Sequence, residues 1–308
     1  MTKVFIDGSA GTTGLRIYER LGQRDDIELV ILPDELRKDT SARREALHKS
    51  DIAFLCLPDA AAKEAVLLAE GAEVAIIDTS TAHRTDDRFA YGFPELTGKR
   101  AAVAAAKRIA NPGCHASGFV ALVAPLVEAG LLKKDARLSA FSLTGYSGGG
   151  KKMIAEYEDE NVSPLLVAPR QYALGQAHKH LPEMVKICGL ENAPAFCPIV
   201  APFYSGMEVT VPIFANDFKG SVDDIKALYA SYYNNGLVRF SDSADEDGFM
   251  SAAAFSGRDD MEISVHGNAE RILLVSRFDN LGKGASGAAI QNMNILLGVS
   301  EDKGLVTV

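Results

Sequence analysis

The sequence predicts an α/β protein in two parts: a parallel sheet covered on both faces by helices, then an α+β region. Three observations carry this expectation. Near-continuous apolar strands alternate with helix-forming stretches through the first third, a glycine-rich turn joins the first strand to the first helix, and beyond residue 114 the strands lengthen and lose that alternation. The first strand covers residues 3–7, and Gly8-Ser9-Ala10-Gly11-Thr12-Thr13-Gly14 leads into a helix over 15–21. Strands follow at 27–32, 52–57 and 74–78, separated by helices near 41–48 and 59–70. An apolar helix is expected over 116–127, antiparallel strands at 138–143, 207–213 and 272–278, and a closing helix over 287–297.

With 308 residues, 47% of them hydrophobic, the chain can bury a large core and fill one large or two ordinary domains. A net charge of -9 argues against a general nucleic-acid or anionic-membrane binder. No apolar run reaches ~18 residues, so no membrane span is expected. The opening residues run straight into strand and turn, so no signal peptide is expected either. Four unevenly spaced cysteines form no Cys-x-x-Cys pair and no zinc pattern, which suits a reducing cytoplasm without a metal site. No internal repeat or long linker interrupts the chain.

The glycine turn has the spacing Gly-x-x-Gly-x-x-Gly rather than the usual dinucleotide Gly-x-Gly-x-x-Gly. Its physical use is the same: a tight turn, close backbone approach to a pyrophosphate, and an anion site at a helix N-terminus. Alone it fits a plain connector equally well; the strands around it make it a Rossmann-like nucleotide domain. After the second strand, Asp34 and Glu35 suit ribose hydroxyls, whereas Arg37, Lys38, Arg43 and Arg44 suit a 2′-phosphate. Both choices of dinucleotide stay open at this point, and at least two of those cations fit a solvated helix face.

Asn111-Pro112-Gly113-Cys114-His115 places one thiol at a sharp turn where a helix begins. Unpaired N–H groups and the helix dipole there favour thiolate over thiol, which makes Cys114 a candidate nucleophile. Cys56, Cys188 and Cys197 lie in or beside apolar runs and read as structural. Of six histidines, only His178 and His180 form a polar pair, followed by Pro182-Glu183, whose carboxylate is placed to orient an imidazole. Spacing alone also fits a surface His-Lys-His cluster. His115 adjoins the thiol, but successive helical residues point about 100° apart, so adjacency does not bring its ring to the sulfur. Ser147-Gly148-Gly149-Gly150-Lys151-Lys152 is either an anion-holding turn or a simple connection.

On these marks the chain resembles the N-acetyl-gamma-glutamyl-phosphate reductase family in its shorter form, nearly end to end. Besides the glycine turn, the cysteine motif and His178-Lys179-His180-Leu181-Pro182-Glu183, the marks are Asp78-Thr79-Ser80, Tyr91-Gly92-Phe93-Pro94-Glu95-Leu96, Thr144-Gly145-Tyr146-Ser147-Gly148-Gly149-Gly150-Lys151 and Lys283-Gly284-Ala285-Ser286-Gly287. Two stretches depart from the pattern: Pro198-Ile199 stands where longer members often carry Pro-His, and the segment ending in Arg84 lacks the commoner acidic-aromatic residues before that arginine. The resemblance implies a subunit like that of aspartate-semialdehyde dehydrogenase. Residues 1–114, completed by 283–308, form its NADP-binding domain, and 115–282 form an α+β substrate and dimerisation domain.

The implied reaction is reduction of an acyl phosphate by NADPH through a thioester on Cys114, with His180 as acid/base and His178 as the second candidate. The implied cofactor residues are Gly8, Ser9, Gly11, Thr12, Thr13, Gly14, Arg37 and Gly284. Asn111, Arg84, Lys151 and Glu183 are the implied substrate contacts, Arg84 and Lys151 for anions. The expected partners are a small acyl phosphate and further copies of the chain, as a dimer or tetramer. Two other readings share the motifs: an acyl-phosphate reductase for aspartyl or aminoadipyl phosphate, and a dinucleotide-binding redox sensor with Cys114 as an oxidisable thiol.

Overall fold

The computed structural model describes residues 1–307 and divides into two compact units: 1–113 with 285–305, and 114–284 with the last residues from Val306.

The first unit begins with β1 (Thr2–Asp7), α1 (Thr12–Leu21), β2 (Ile27–Val30), α2 (Thr40–Lys49), β3 (Ile52–Leu55) and α3 (Asp59–Leu68). It continues with β4 (Ala75–Asp78), β5 (Ala90–Tyr91), α4 (Lys99–Ala105) and β6 (Arg108–Ala110). The six strands form one sheet in the order β2-β1-β3-β4-β6-β5, every pair parallel. Alternation along each strand explains its unbroken apolar composition. Val4, Ile6, Phe54 and Ile77 enter the core on one face, and Phe5, Ala53, Leu55 and Ile76 enter the core on the other. β1 lies between β2 and β3, so the chain reverses direction across the sheet there and leaves a crevice at the carboxyl end of β1, where the glycine turn sits. α1 starts three residues earlier than expected, with Gly11 as its N-cap.

The second unit contains α5 (Cys114–Glu128), β7 (Ser139–Gly145), α6 (Gly150–Tyr157), β8 (Arg170–Gln171), α7 (Leu181–Cys188) and β9 (Ala195–Ala201). It goes on with β10 (Met207–Phe214), α8 (Val222–Tyr232), β11 (Val238–Phe240), β12 (Met261–Gly267) and β13 (Arg271–Phe278). Its seven strands lie in the order β11-β12-β13-β10-β7-β9-β8. β10 runs antiparallel to both β13 and β7, as expected. β7 and β9, however, are parallel, as are β11 and β12, so the sheet is mixed. The long connection through α7 supplies the crossover that a parallel pair requires, and strand composition does not reveal it.

α5 packs against β10, β13, α7 and α8 and is buried from His115 through Leu126, which explains why it is apolar all round. Met207, Val209, Val211 and Ile213 of β10 face this side of the sheet, and Phe141, Thr210, Pro212 and Leu273 line the opposite side. The last helix, α9 (Gly287–Leu297), returns to the first unit, where Ala289, Ile290 and Met293 join the core beneath β1, β3 and β4.

Candidate active site

The turn after β1 brings strand, turn and helix into close approach. Gly8 has φ of +90°, and a Cβ there would lie 2.3 Å from the Cys56 carbonyl oxygen; a Cβ on Gly14 would lie 2.4 Å from the Gly8 carbonyl oxygen. Only glycine permits this approach of strand, turn and helix. The Thr12 hydroxyl, in the first turn of α1, is buried without a hydrogen-bond partner among the described residues. An orphaned donor at a helix N-terminus is what a bound phosphate satisfies. A cavity of about 240 Å³ extends from this turn and is lined by Gly8, Ser9, Tyr18, Leu32, Arg37 and Lys38.

The structure separates the charges that the sequence left mixed. Arg37 and Lys38 line the cavity, whereas Asp34 pairs with Arg37 at 2.7 Å and neither Asp34 nor Glu35 reaches the lining. Arg43 turns inward instead, bonding Asp7 at 2.9 Å and Glu64 at 2.7 Å, and so serves the fold rather than the cavity. Arg44 is exposed on α2.

Cys114 is the first residue of α5, two positions ahead of the expected helix start, because Pro112 and Gly113 end the extended segment immediately before it. A short π-type turn over Gly282–Ser286 approaches it; a Cβ on Gly284 would stand 2.9 Å from the Cys114 Cβ. Asp279 holds this approach in place. Its fully buried carboxylate accepts from the Leu281 and Gly282 amides at 2.6 and 3.0 Å, from the Ser205 hydroxyl at 2.8 Å and from the Gly257 amide. Nothing local in the sequence marks Asp279 as this hub, because its partners come from three separate segments. Burial raises the Cys56 thiol to about 12 and the Cys188 thiol higher still, as suits structural cysteines.

His178 and His180 are brought together at the start of α7, with ring centroids 4.7 Å apart and edge to face. His180 is buried and occupies the N-cap position; its amide donates to His178 Nδ1 at 3.2 Å. His115 joins them, its centroid 5.6 Å from each. Its Nδ1 lies 2.7 Å from the Ser142 hydroxyl and its Nε2 lies 2.6 Å from the Tyr172 hydroxyl. Burial, reinforced by the charges of His178 and Lys179, pushes His115 down to about 3. It is therefore held as a neutral imidazole. Burial and the nearby Cys114 charge raise the Tyr172 phenol, so it stays protonated. Tyr172 and Ser142 escaped sequence reasoning, since neither stands in a motif and their bonds to His115 span 57 and 27 residues.

The four expected substrate contacts fall in different surroundings. Arg84 Nε donates to the Asn111 carbonyl at 3.0 Å and its Nη2 to the Thr79 carbonyl at 2.9 Å, so the guanidinium braces the main chain ahead of the cysteine motif. The Asn111 amide donates to the Ala285 carbonyl at 3.0 Å, and its side-chain oxygen accepts from Asn292 at 3.2 Å. Glu183 is buried in the first turn of α7. Lys151 stands exposed in the first turn of α6, because Gly148 to Gly150 continue through a tight helical turn into that helix and form no open loop.

Similarity to known proteins follows this architecture. Family models described as "Semialdehyde dehydrogenase, NAD binding domain" and "Semialdehyde dehydrogenase, dimerisation domain" match residues 33–105 and 114–280. The chain is 43% identical to N-acetyl-gamma-glutamyl-phosphate reductase 2 of Nostoc sp., over 98% of this chain and 99% of that one. It is 45% identical to N-acetyl-gamma-glutamyl-phosphate reductase of Brucella suis, over 96% and 99%. Among solved structures, aspartate semialdehyde dehydrogenase II of Vibrio cholerae superposes with a TM-score of 0.73 at 18% identity, covering 97% of this chain and 98% of its own. Aspartate semialdehyde dehydrogenase of Candida albicans, solved with NADP, superposes with a TM-score of 0.67 at 17% identity, covering 96% and 98%.

Proposed function

The chain belongs to the N-acetyl-gamma-glutamyl-phosphate reductase family, and from that premise we propose that it reduces N-acetyl-glutamyl 5-phosphate to N-acetyl-glutamate 5-semialdehyde and phosphate in arginine biosynthesis, with NADPH as hydride donor. The observation that carries this reading is one thiol at a helix start whose next residue, His115, has ring contacts with both histidines of the pair.

The Cys114 thiolate attacks the gamma-carbonyl carbon; a carbon–sulfur bond forms and phosphate leaves, giving a thioester on the enzyme. The turn from Gly8 to Gly14, with Ser9, Gly11, Thr12 and Thr13, would hold NADPH, which when bound would supply the hydride for the thioester carbon. His180, with His178 as the second candidate, donates a proton to the carbonyl oxygen as the hydride arrives and takes it back from the thiohemiacetal hydroxyl as the carbon–sulfur bond breaks to release the aldehyde and thiolate. Arg37 and Lys38 face the 2′-phosphate, because an arginine binds phosphate bidentately and a carboxylate there would repel it. Lys151 and Glu183 are assigned to the substrate. Arg84 and Asn111 act on it through the main chain they brace, and Gly284 is assigned to the cofactor.

On this reading residues 1–113 with the closing helix bind the cofactor, and 114–284 bind the substrate and pair subunits. Exposed Phe141, Leu273 and Phe214 beside Pro212 on the sheet side away from α5 suit a second copy of the chain, so the enzyme is assigned as a homo-oligomer, dimer or tetramer. Four free cysteines suit the cytoplasm, and no helix of the described residues is long and apolar enough to cross a membrane.

Phosphate-dependent NADP reduction with a panel of semialdehydes tests the reading. N-acetyl-glutamate semialdehyde should give the largest kcat/KM. A larger value with aspartate or aminoadipate semialdehyde would reassign the substrate, and no turnover with any would leave the redox-sensor reading.

A further inference from the structure

Arg170, on β8, is half-buried and lacks a counter-ion among the described residues. Its Nη2 donates to the Tyr157 hydroxyl at 3.0 Å, and its guanidinium carbon lies 5.4 Å from the centre of the same ring. Its Nε is buried without a hydrogen-bond partner among the described residues. Arg24, Arg43 and Arg277, which are more deeply buried, each rest on a carboxylate. Glu158, beside this cluster, accepts from the Tyr146 hydroxyl at 3.3 Å instead, and Tyr146 stacks on Tyr157 with centroids 4.7 Å apart. A desolvated guanidinium N–H left unpaired is costly, and an anion from outside the chain removes that cost.

The register of the sheet puts Arg170 on the face, and at the level, of the residues assigned to the reaction. Arg170 lies opposite Val200 of β9, and Val200 lies opposite Thr144 of β7. One step away, Tyr172 donates its amide to the Pro198 carbonyl at 3.0 Å, and Pro198 lies opposite Ser142. The Tyr172 and Ser142 side chains both meet His115, the residue after Cys114. Alternate residues of a strand share a face, so Arg170 stands on that face about 6.6 Å from Tyr172 along the strand. Its row continues through Met207, opposite Thr144, to Phe278. A Cβ on Gly284 would lie 3.3 Å from the Phe278 ring and 2.9 Å from the Cys114 Cβ, so Cys114 is level with the same row.

We propose that Arg170 binds the alpha-carboxylate of the substrate, through Nε and the N–H groups that Tyr157 leaves free. This assignment rests on the reductase reading above, in which the substrate carries its phosphate on the carbon that Cys114 attacks and its alpha-carboxylate at the other end. The phosphate therefore stays next to the sulfur. Arg170 is on the outermost strand, separated by β9, β7 and β10 from the end of the row at Phe278, which suits the far end of the substrate. A planar carboxylate also fits the fork of a guanidinium bidentately.

The test is steady-state kinetics of phosphate-dependent NADP reduction by the full-length protein, with N-acetyl-glutamate semialdehyde and with its alpha-methyl ester, which lacks the negative charge. Arg170→Ala should raise KM for the acid by roughly tenfold to a hundredfold, the loss of a charge-assisted pair, while kcat and the KM for phosphate change by less than about twofold. Arg170→Lys should recover part of the loss. The ester should show a high KM with the wild type and the same KM with Arg170→Ala, because it offers no charge to the guanidinium. An unchanged KM for the acid in Arg170→Ala overturns the proposal, as does an equal loss with acid and ester, which a purely structural arginine would give. A rise confined to the KM for phosphate overturns it in favour of the phosphate. If no variant folds, the wild type decides: a clear preference for the acid over the ester supports the assignment, and equal kcat/KM values overturn it. Absence of turnover in the wild type overturns the reductase reading and this assignment with it, whereas turnover with an unmoved KM in Arg170→Ala overturns this assignment alone.

Discussion

Gly284 meets Cys114 so closely that a Cβ at position 284 would lie 2.9 Å from the Cys114 Cβ and 3.1 Å from the Asp279 carbonyl oxygen. The turn that Asp279 stabilises and the start of α5 are therefore one packed unit. Gly284→Ala should cost about 1–3 kcal/mol of stability, as overpacking of a fixed backbone does. It should also slow alkylation of Cys114. Denaturant unfolding together with the alkylation rate checks both, and an unchanged pair of values would mean that the turn yields freely.

Replacing the nucleophile separates chemistry from cofactor binding. Cys114→Ser should abolish turnover while NADPH affinity, measured by fluorescence titration, stays within a few fold, because a serine hydroxyl is a far weaker nucleophile near neutral pH. Retention of more than about a tenth of the wild-type rate would remove Cys114 from the covalent role.

The histidine pair offers two candidates for one proton. His180→Asn should lower kcat by roughly a hundredfold with the melting temperature little changed, the usual cost of losing a general acid/base. If His178→Asn produces that loss and His180→Asn does not, the roles are exchanged.

Cofactor choice should depend on the cations lining the cavity of the first unit. Arg37→Ala should reduce kcat/KM for NADPH by about tenfold and leave the value for NADH nearly unchanged, since only NADPH carries the 2′-phosphate. Steady-state kinetics with both cofactors decides it; a wild-type preference for NADH would contradict the assignment outright.

His115 should leave a signature in stability against pH. Its folded value is pushed down to about 3, mainly by burial, against ~6.5 for an unperturbed histidine. Between those values the unfolded chain holds a proton that the folded chain does not, so stability is full above 6.5 and falls as pH drops, by up to about 1.4 kcal/mol per pH unit. His115→Gln removes that proton from both states. Unfolding measured between pH 6 and pH 4 should therefore show a shallower slope in the variant, and equal slopes would mean that His115 is not held neutral.

The sequence by itself determined the parallel sheet, because successive residues such as Val4 and Phe5 are both apolar and face opposite cores. It also determined the glycine turn, the thiol at a helix start after Pro112-Gly113, and the closing helix, whose apolar run coincides with its bounds of Gly287–Leu297. These are local features, set by composition, period and chain-breaking residues within a dozen positions. Only the tertiary structure decided that Arg43 belongs to Asp7, that Arg84 and Asn111 brace main chain, that β7 runs parallel to β9, and that His115 reaches Ser142 and Tyr172. Each depends on the direction of a side chain or the pairing of a strand across tens of residues. A local pattern carries neither, because direction and partner are fixed only when segments distant in sequence pack within each unit.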